Sequence, residues 1–310
     1  METTKEIPLH PFLFVGCWNN PTTKDYVGVF KKISEDPITT LILGGDNIYP
    51  KKNPNGSKEY SVDEVENGFE IARQGKNVVL TALGNHNIGN KDVYDKIKEL
   101  YAIESNYYCV HFSDGFSLVF LDTSLCKKGG EQMEAMFAWL ADLLGRIGPY
   151  YLVQHVPIAS IRDDGPDLLR RKNELLKIIQ HNLPRAILCA HTHLYQHGKI
   201  EFQSSPHNES ERASPNLGLA KKEIDQFIVG TGGAILDGSP SHDDTSIAEG
   251  NFFSYTILET QKTHGYARIM APGAFEFVPL KLEAKGGYRK TRSRRRLGRS
   301  RRSKKQGKRA

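Results

Sequence analysis

The chain has 310 residues, 38% of them hydrophobic and 25% charged, enough for one large core with no linker-like stretch between two. No apolar run approaches the roughly 20 residues a bilayer span needs, which argues against a transmembrane helix. The net charge of +6 is unevenly held: residues 286–310 carry 13 of the 42 Lys and Arg and no acid, so the rest sets 29 basic against 36 acidic residues, a net of −7. In chain order, strand-like apolar runs alternate with amphipathic segments: a strand at 12–15, a helix at 23–34, a strand at 40–43, a helix at 62–74, a strand at 78–83 and a helix at 91–101. A hairpin follows at 107–112 and 116–121 around Ser113-Asp114-Gly115, then helices at 131–144 and 167–181. Strands at 227–229, 253–259, 266–270 and 275–282 fill the last third. Alternation first and strands later predict an α/β (α+β) domain of two mixed sheets packed face to face with helices outside.

Four apolar runs each end in metal-ligand side chains. Gly45-Asp46-Asn47-Ile48-Tyr49 follows Thr40-Leu41-Ile42-Leu43, and Gly84-Asn85-His86-Asn87 follows Val78-Val79-Leu80. His155 follows Tyr151-Leu152-Val153, and His191-Thr192-His193 follows Ala186-Ile187-Leu188. Each segment alone is common, but all four in this order, each at a strand end, read as a two-metal phosphoesterase centre.

This set resembles the calcineurin-like metallophosphoesterases, and within them the purple (tartrate-resistant) acid phosphatases, whose second motif has the same Gly-Asp-Asn-x-Tyr form. Supporting segments are Phe14-Val15-Gly16-Cys17-Trp18 and the stretches 132–144, 227–233 and 252–258, so the likeness covers roughly residues 10–282. It implies a four-layer αββα sandwich in residues 1–285 with metals at the sheet edge. It also implies a dinuclear centre in which Asp46 bridges, Asn85, His155 and His191 hold one metal, and Tyr49 and His193 hold the other with the residue at position 17. The tyrosine points to Fe(III), because a phenol loses its proton only to a strongly Lewis-acidic ion. The second ion would be Fe(II), Zn(II) or Mn(II). Hydrolysis of a phosphomonoester, on a small molecule or a phosphoprotein, would use hydroxide generated at the metals, with His86 donating a proton to the leaving group or binding the phosphate.

Two positions depart from the family pattern. Cys17 stands where the family supplies an aspartate, a softer ligand with one donor atom. Asn87 stands where the family usually has an aspartate that holds the catalytic histidine. It is expected to orient His86 without stabilising an imidazolium. These changes also suit a second reading, a catalytically impaired scaffold tethered by its tail, and a nuclease or phosphodiesterase is a lesser third.

The tail, 286–310, is too poor in apolar residues to fold alone. Its Arg292, Arg294, Arg295, Arg296, Arg299, Arg301 and Arg302 suit nucleic acid, another anionic partner or surface, or a nuclear-import receptor, and charge does not separate these. Cys17, Cys109, Cys126 and Cys189 are too scattered for a disulfide framework and no export signal is visible, so an intracellular, reducing setting is expected. The polar segments 203–222 and 236–249 are expected either to shape substrate choice or to be plain surface insertions. His10, His111, His181, His197, His207, His242 and His264 are expected to be ordinary, with His197 a minor candidate for supporting the centre.

Overall fold

A computed structural model of the chain describes residues 1–124, 130–161, 172–202, 222–237, 246–248 and 253–280. Its elements in chain order are β1 (Glu2–Lys5), β2 (Phe12–Val15), α1 (Tyr26–Glu35), β3 (Thr40–Leu43), β4 (Lys51–Lys52), β5 (Lys58–Glu59), α2 (Val62–Arg73), β6 (Val78–Thr81) and α3 (Lys91–Leu100). There follow β7 (Tyr108–Phe112), β8 (Ser117–Leu121), α4 (Glu131–Leu144), β9 (Tyr150–Gln154), α5 (Lys172–Ile179), β10 (Ile187–Cys189) and β11 (Tyr195–Phe202). The last are β12 (Glu223–Val229), β13 (Ser246–Ala248), β14 (Phe253–Gln261), β15 (Gly265–Ala271) and β16 (Ala274–Pro279).

Two mixed sheets carry the fold. The smaller runs β16-β15-β2-β3-β6 and the larger β1-β7-β8-β9-β10-β12-β11-β14-β13, with β4 and β5 as a separate hairpin. The centre of each is parallel: β2-β3-β6 in one, β8-β9-β10-β12 in the other. Side chains alternate across the larger sheet. Leu118, Phe120, Tyr151 and Val153 pack with Phe12, Phe14 and Ile42 of the smaller sheet, while Val119, Leu121, Tyr150 and Leu152 pack with Met136, Phe137 and Leu140 of α4 and Leu175 and Leu176 of α5. Tyr26, Val29, Phe30 and Ile33 recur at helical spacing and bury α1 against the other face of the smaller sheet, beside Val65 and Ala72 of α2. The result is the expected αββα sandwich.

Helix starts follow from capping. Ser61 accepts the N–H of Glu64 ahead of α2, and Asn90 accepts that of Val93 ahead of α3. The first helix begins at Tyr26 rather than residue 23, because the Thr23 hydroxyl donates to the Gly233 carbonyl and holds the preceding turn out of the helix. Several strands were not expected: the edge strand β1, the β4–β5 hairpin, β11, and β13 within the segment 236–249 read as a polar loop. In β11, Gly198 breaks the apolar alternation, and it is needed because the Tyr255 ring occupies the place of its Cβ, 2.5 Å away. Most of segments 203–222 and 236–249 lies outside the described residues, as does the start of the helix expected at 167–181. The compact unit runs from Met1 to Leu280, and the basic tail at 286–310 falls outside the described residues.

Candidate metal centre

The parallel strands of both sheets point their carboxyl ends at one edge, the usual place for a binding site in such sheets. Cys17 and Asn19 follow β2, Asp46 and Tyr49 follow β3, Asn85 and His86 follow β6, His155 follows β9, and His191 and His193 follow β10. Backbone bonds sew these turns together: Cys17 N–H donates to the Gly45 carbonyl, Gly16 N–H to Val229, and Ala190 N–H to His155. Cys17, Asp46 and His191 all take left-handed backbone, with φ of 55°, 52° and 63°. Non-glycine residues rarely adopt this conformation, and such strain gathers at functional sites. Two glycines make the approach close enough. A Cβ on Gly84 would sit 2.2 Å from Asp46 Oδ1, and one on Gly45 2.9 Å from His155 Nδ1.

The expected ligands come together in two groups. In the first, His155 Nε2 lies 3.2 Å from Asn85 Oδ1 and 3.1 Å from His191 Nδ1, which is itself 3.0 Å from Asn85 Oδ1. Asp46 Oδ2 completes it, 3.3 Å from His155 Nε2. In the second, the Tyr49 hydroxyl lies 2.9 Å from His193 Nε2 and 3.2 Å from the same Asp46 Oδ2. One carboxylate oxygen is therefore common to both groups, and the other, Oδ1, accepts the His86 backbone N–H at 2.9 Å.

Proton bookkeeping tests whether metals fit. His155 Nδ1 donates to the Gly44 carbonyl at 2.8 Å, and His193 Nδ1 to the Ile235 carbonyl at 2.8 Å. Held this way, each ring in its neutral form would turn the lone pair of Nε2 into the centre, the second-layer arrangement of metal-bound histidines. In the first group two imidazole nitrogens, an amide oxygen and a carboxylate oxygen meet as acceptors at hydrogen-bond range with too few protons between them. A cation resolves that crowding, so the residues present fit a metal.

Electrostatics agree. Burial would raise the Asp46 carboxyl, but the charge and hydrogen bond of His155, with further help from His86, hold it far below the usual carboxylate range. Burial, together with the neighbouring His155, drives His191 down to about 3, keeping its lone pair free. Burial opposes protonation of His155 as well, but the Asp46 carboxylate outweighs it and raises that ring. Tyr49 is pushed well above its usual value, by burial first and then by Cys17 and Asp46. Only a strong Lewis acid would deprotonate it.

Cys17 is fully buried, and its sulfur accepts the His191 backbone N–H at 3.1 Å. Its sulfur and ligand atoms of Asp46 and His155 all lie within 4.8 Å of one another. Burial, reinforced by the Asp46 charge, pushes the thiol well up. Asn87 departs from expectation. Its amide oxygen accepts the N–H of Gly84 at 2.7 Å and of Asp46 at 3.0 Å, while its amide nitrogen finds no partner, so it fastens two turns together and does not orient the His86 ring. That ring stacks at a tilt on Tyr49, 4.5 Å between centroids, and its Nδ1 lies 3.4 Å from the Tyr60 hydroxyl. Burial is the main cause that lowers the pKa of His86.

The sequence did not single out Tyr60, nor Asp237, whose carboxylate accepts the His193 N–H at 2.7 Å and whose own N–H donates to the His193 carbonyl at 3.0 Å. Asp237 sits at the start of a segment read as a polar loop; its position after a glycine-rich strand end was the available signal. His197 bonds to Asp225 and stacks on Phe227, so it supports the sheet and not the centre. Cys17, Cys109 and Cys189 are free thiols, and Cys126 lies outside the described residues.

A layered sandwich with a two-group ligand set at its parallel strand ends defines a metal-dependent phosphoesterase architecture. The chain belongs to the calcineurin-like phosphoesterase family, whose pattern it matches over residues 10–195. No curated protein matches it in sequence. Among solved structures it is similar to purple acid phosphatase PPD1 from yellow lupin (Lupinus luteus) seeds, with a TM-score of 0.62, 14% identity, 88% of this chain covered and 52% of that one. It is also similar to GAP50, the anchor in the inner membrane complex of Plasmodium, with a TM-score of 0.55, 12% identity and 89% and 90% covered. PhoD follows at 0.53, 12% identity and 86% and 64% covered. At these identities the likeness is one of fold.

Proposed function

We propose that this phosphoesterase-family protein hydrolyses phosphomonoesters at a dinuclear centre held by Asp46, Asn85, His155 and His191 on one side and Asp46, Tyr49, His193 and Cys17 on the other. The observation that carries this reading is the single oxygen, Asp46 Oδ2, common to both groups. Tyr49 favours Fe(III) in its group, and Fe(II), Zn(II) or Mn(II) suits the imidazole and amide set. Bound metals would supply positive charge for the phosphoryl oxygens and a strong nucleophile at neutral pH. The chain supplies the rest. The carbonyls of Gly44 and Ile235 fix two imidazoles, the His86 N–H fixes the Asp46 carboxylate, and His86 carries a proton to the leaving oxygen with its ring held between Tyr49 and Tyr60.

The test is metal content of the purified chain beside hydrolysis of an aryl phosphate. His191→Ala should remove metal and turnover together, while His86→Ala should keep the metals and slow turnover by roughly a hundredfold or more. Full activity in both variants would refute the assignment.

Cys17 favours a second reading, a family member that has given up turnover and serves as a scaffold, with Arg292, Arg294, Arg295, Arg296, Arg299, Arg301 and Arg302 tethering it to nucleic acid or another anionic partner. GAP50, of similar fold, is described as an anchor. Metal-poor protein without turnover, regained in Cys17→Asp, would select this reading. Activity on DNA that falls steeply with salt and vanishes on removing residues 286–310 would select a nuclease instead. Among the described residues no helix is long and apolar enough to cross a membrane.

A further inference from the structure

The β4–β5 hairpin begins and ends on the centre. It leaves from Tyr49, whose hydroxyl meets Asp46 and His193, and returns at Tyr60, whose hydroxyl meets His86. Between those anchors it carries Lys51, Lys52 and Lys58, all exposed. The pairing sets Lys51 opposite Glu59 and Lys52 opposite Lys58. Directly opposed residues share a face of the ribbon, and like charges placed so are destabilising.

Nothing in the arm relieves that opposition. Its acid, Glu59, accepts from the Asn53 amide at 3.3 Å. Among the described residues, no ion pair reaches any of the three lysines. The turn is tightly bonded, with Asn53 N–H to the Ser57 carbonyl at 2.9 Å, Gly56 N–H to the Asn53 carbonyl at 2.9 Å, and Asn55 Oδ1 accepting from the Ser57 N–H at 3.0 Å and hydroxyl at 2.7 Å. The lysines are thus carried on a fastened ribbon and not on a floppy loop. Lys58 stands two residues before Tyr60, whose hydroxyl lies 3.4 Å from His86 Nδ1. In a body whose charge outside the tail is −7, a concentrated positive pair stands beside the reacting centre.

We propose that this arm recognises a second phosphate on the substrate: Lys52 and Lys58 clasp it while the scissile phosphoryl group lies at the centre. The preferred substrate class is then a small molecule carrying two phosphates. An anion between the two ammonium groups turns their repulsion into attraction, which accounts for a pairing that would otherwise only cost stability. The assignment rests on the phosphoesterase reading for the scissile group, but the clasp can be measured by binding alone.

The experiment titrates the metal-loaded full chain calorimetrically with a hexose bisphosphate and with the matching hexose monophosphate, and assays hydrolysis of both. The wild type is expected to bind the bisphosphate about tenfold more tightly. Lys52→Ala/Lys58→Ala should bring that preference to about twofold or less, Lys52→Arg/Lys58→Arg should keep most of it, and Lys32→Ala, which removes a charge from α1, should leave it unchanged. No preference in the wild type overturns the proposal. So does a preference that survives the double alanine change, as binding to the basic tail would produce, or one lost equally in Lys32→Ala. A preference that behaves as expected while neither ester is hydrolysed keeps the clasp and removes the phosphatase reading.

Discussion

The amide oxygen of Asn87 holds the backbone N–H of Asp46 at 3.0 Å, across from its own turn. The same oxygen takes the N–H of Gly84, so one buried acceptor serves two buried donors. Asn87→Ala leaves both unsatisfied and should cost about 2–4 kcal/mol. Asn87→Asp keeps the acceptor and should cost less. Urea denaturation of the three proteins checks this, and equal midpoints would show that the fastening contributes nothing.

Cys17→Asp should raise metal occupancy. The left-handed backbone there, φ 55°, suits aspartate better than most residues, and a carboxylate needs no thiol to ionise in a buried place. Metal analysis after identical loading should show more of the ion in the mutant, and Cys17→Ala less or the same as wild type. Lower occupancy in the aspartate variant would make the sulfur a true ligand that oxygen does not replace.

The Tyr60 hydroxyl meets His86 Nδ1 at 3.4 Å and belongs to neither ligand group, so its removal should act on proton delivery alone. Tyr60→Phe should slow an alkyl phosphate, whose leaving group needs a proton, by roughly tenfold, and a nitrophenyl phosphate much less. Metal content should stay as in the wild type. Equal slowing of both esters would mean that Tyr60 only packs.

Metal should stabilise the folded chain, because the crowded acceptors of His155, His191, Asn85 and Asp46 exist only there. Ligand at about 100 times its dissociation constant adds about 2.7 kcal/mol, so Zn(II) or Fe should raise the melting temperature of stripped protein by several degrees. His155→Ala should abolish the rise. An unchanged melting temperature in the wild type would contradict the fit.

Asp36 binds Arg268 at 2.7 Å and the Tyr266 hydroxyl at 2.8 Å, tying the end of α1 to β15. Burial raises its pKa, but the bonds from Ile38 N–H, Arg268 and Tyr266 outweigh it and leave the carboxyl below its ordinary value. A folded value below the unfolded one means that stability from this group is fully present above about pH 4 and is lost as pH falls through the folded value. Asp36→Asn should therefore cost about 2–4 kcal/mol at pH 7 and flatten the acid limb of the stability curve below pH 4. An unaltered limb would assign acid unfolding to other carboxylates.

The gathering of the candidate ligands was legible because each stands where an apolar run stops, and a parallel sheet leaves that edge as the place to bring them together. Asp46, Tyr49, Asn85, His155, His191 and His193 meet for that reason. What could not be read was who holds them. Gly44 and Ile235 act through backbone carbonyls, which carry no side-chain signature, and Tyr60 acts across 26 positions of sequence. Asn87 was assigned from the family pattern, in which an aspartate there holds the histidine, but its oxygen accepts two backbone N–H groups instead. Strands β1 and β11 escaped because one is polar on an exposed edge and the other is interrupted by a glycine that makes room for Tyr255.

The support of His193 by Ile235 and Asp237 also sets a timetable. Every ligand has left the ribosome once residue 193 has emerged, yet one imidazole is not steered until the turn beyond β12 has been made. The group of Tyr49 and His193 should therefore be completed later than that of His155 and His191, and a chain stopped short of β12 should lack its second steered imidazole even with every candidate ligand translated.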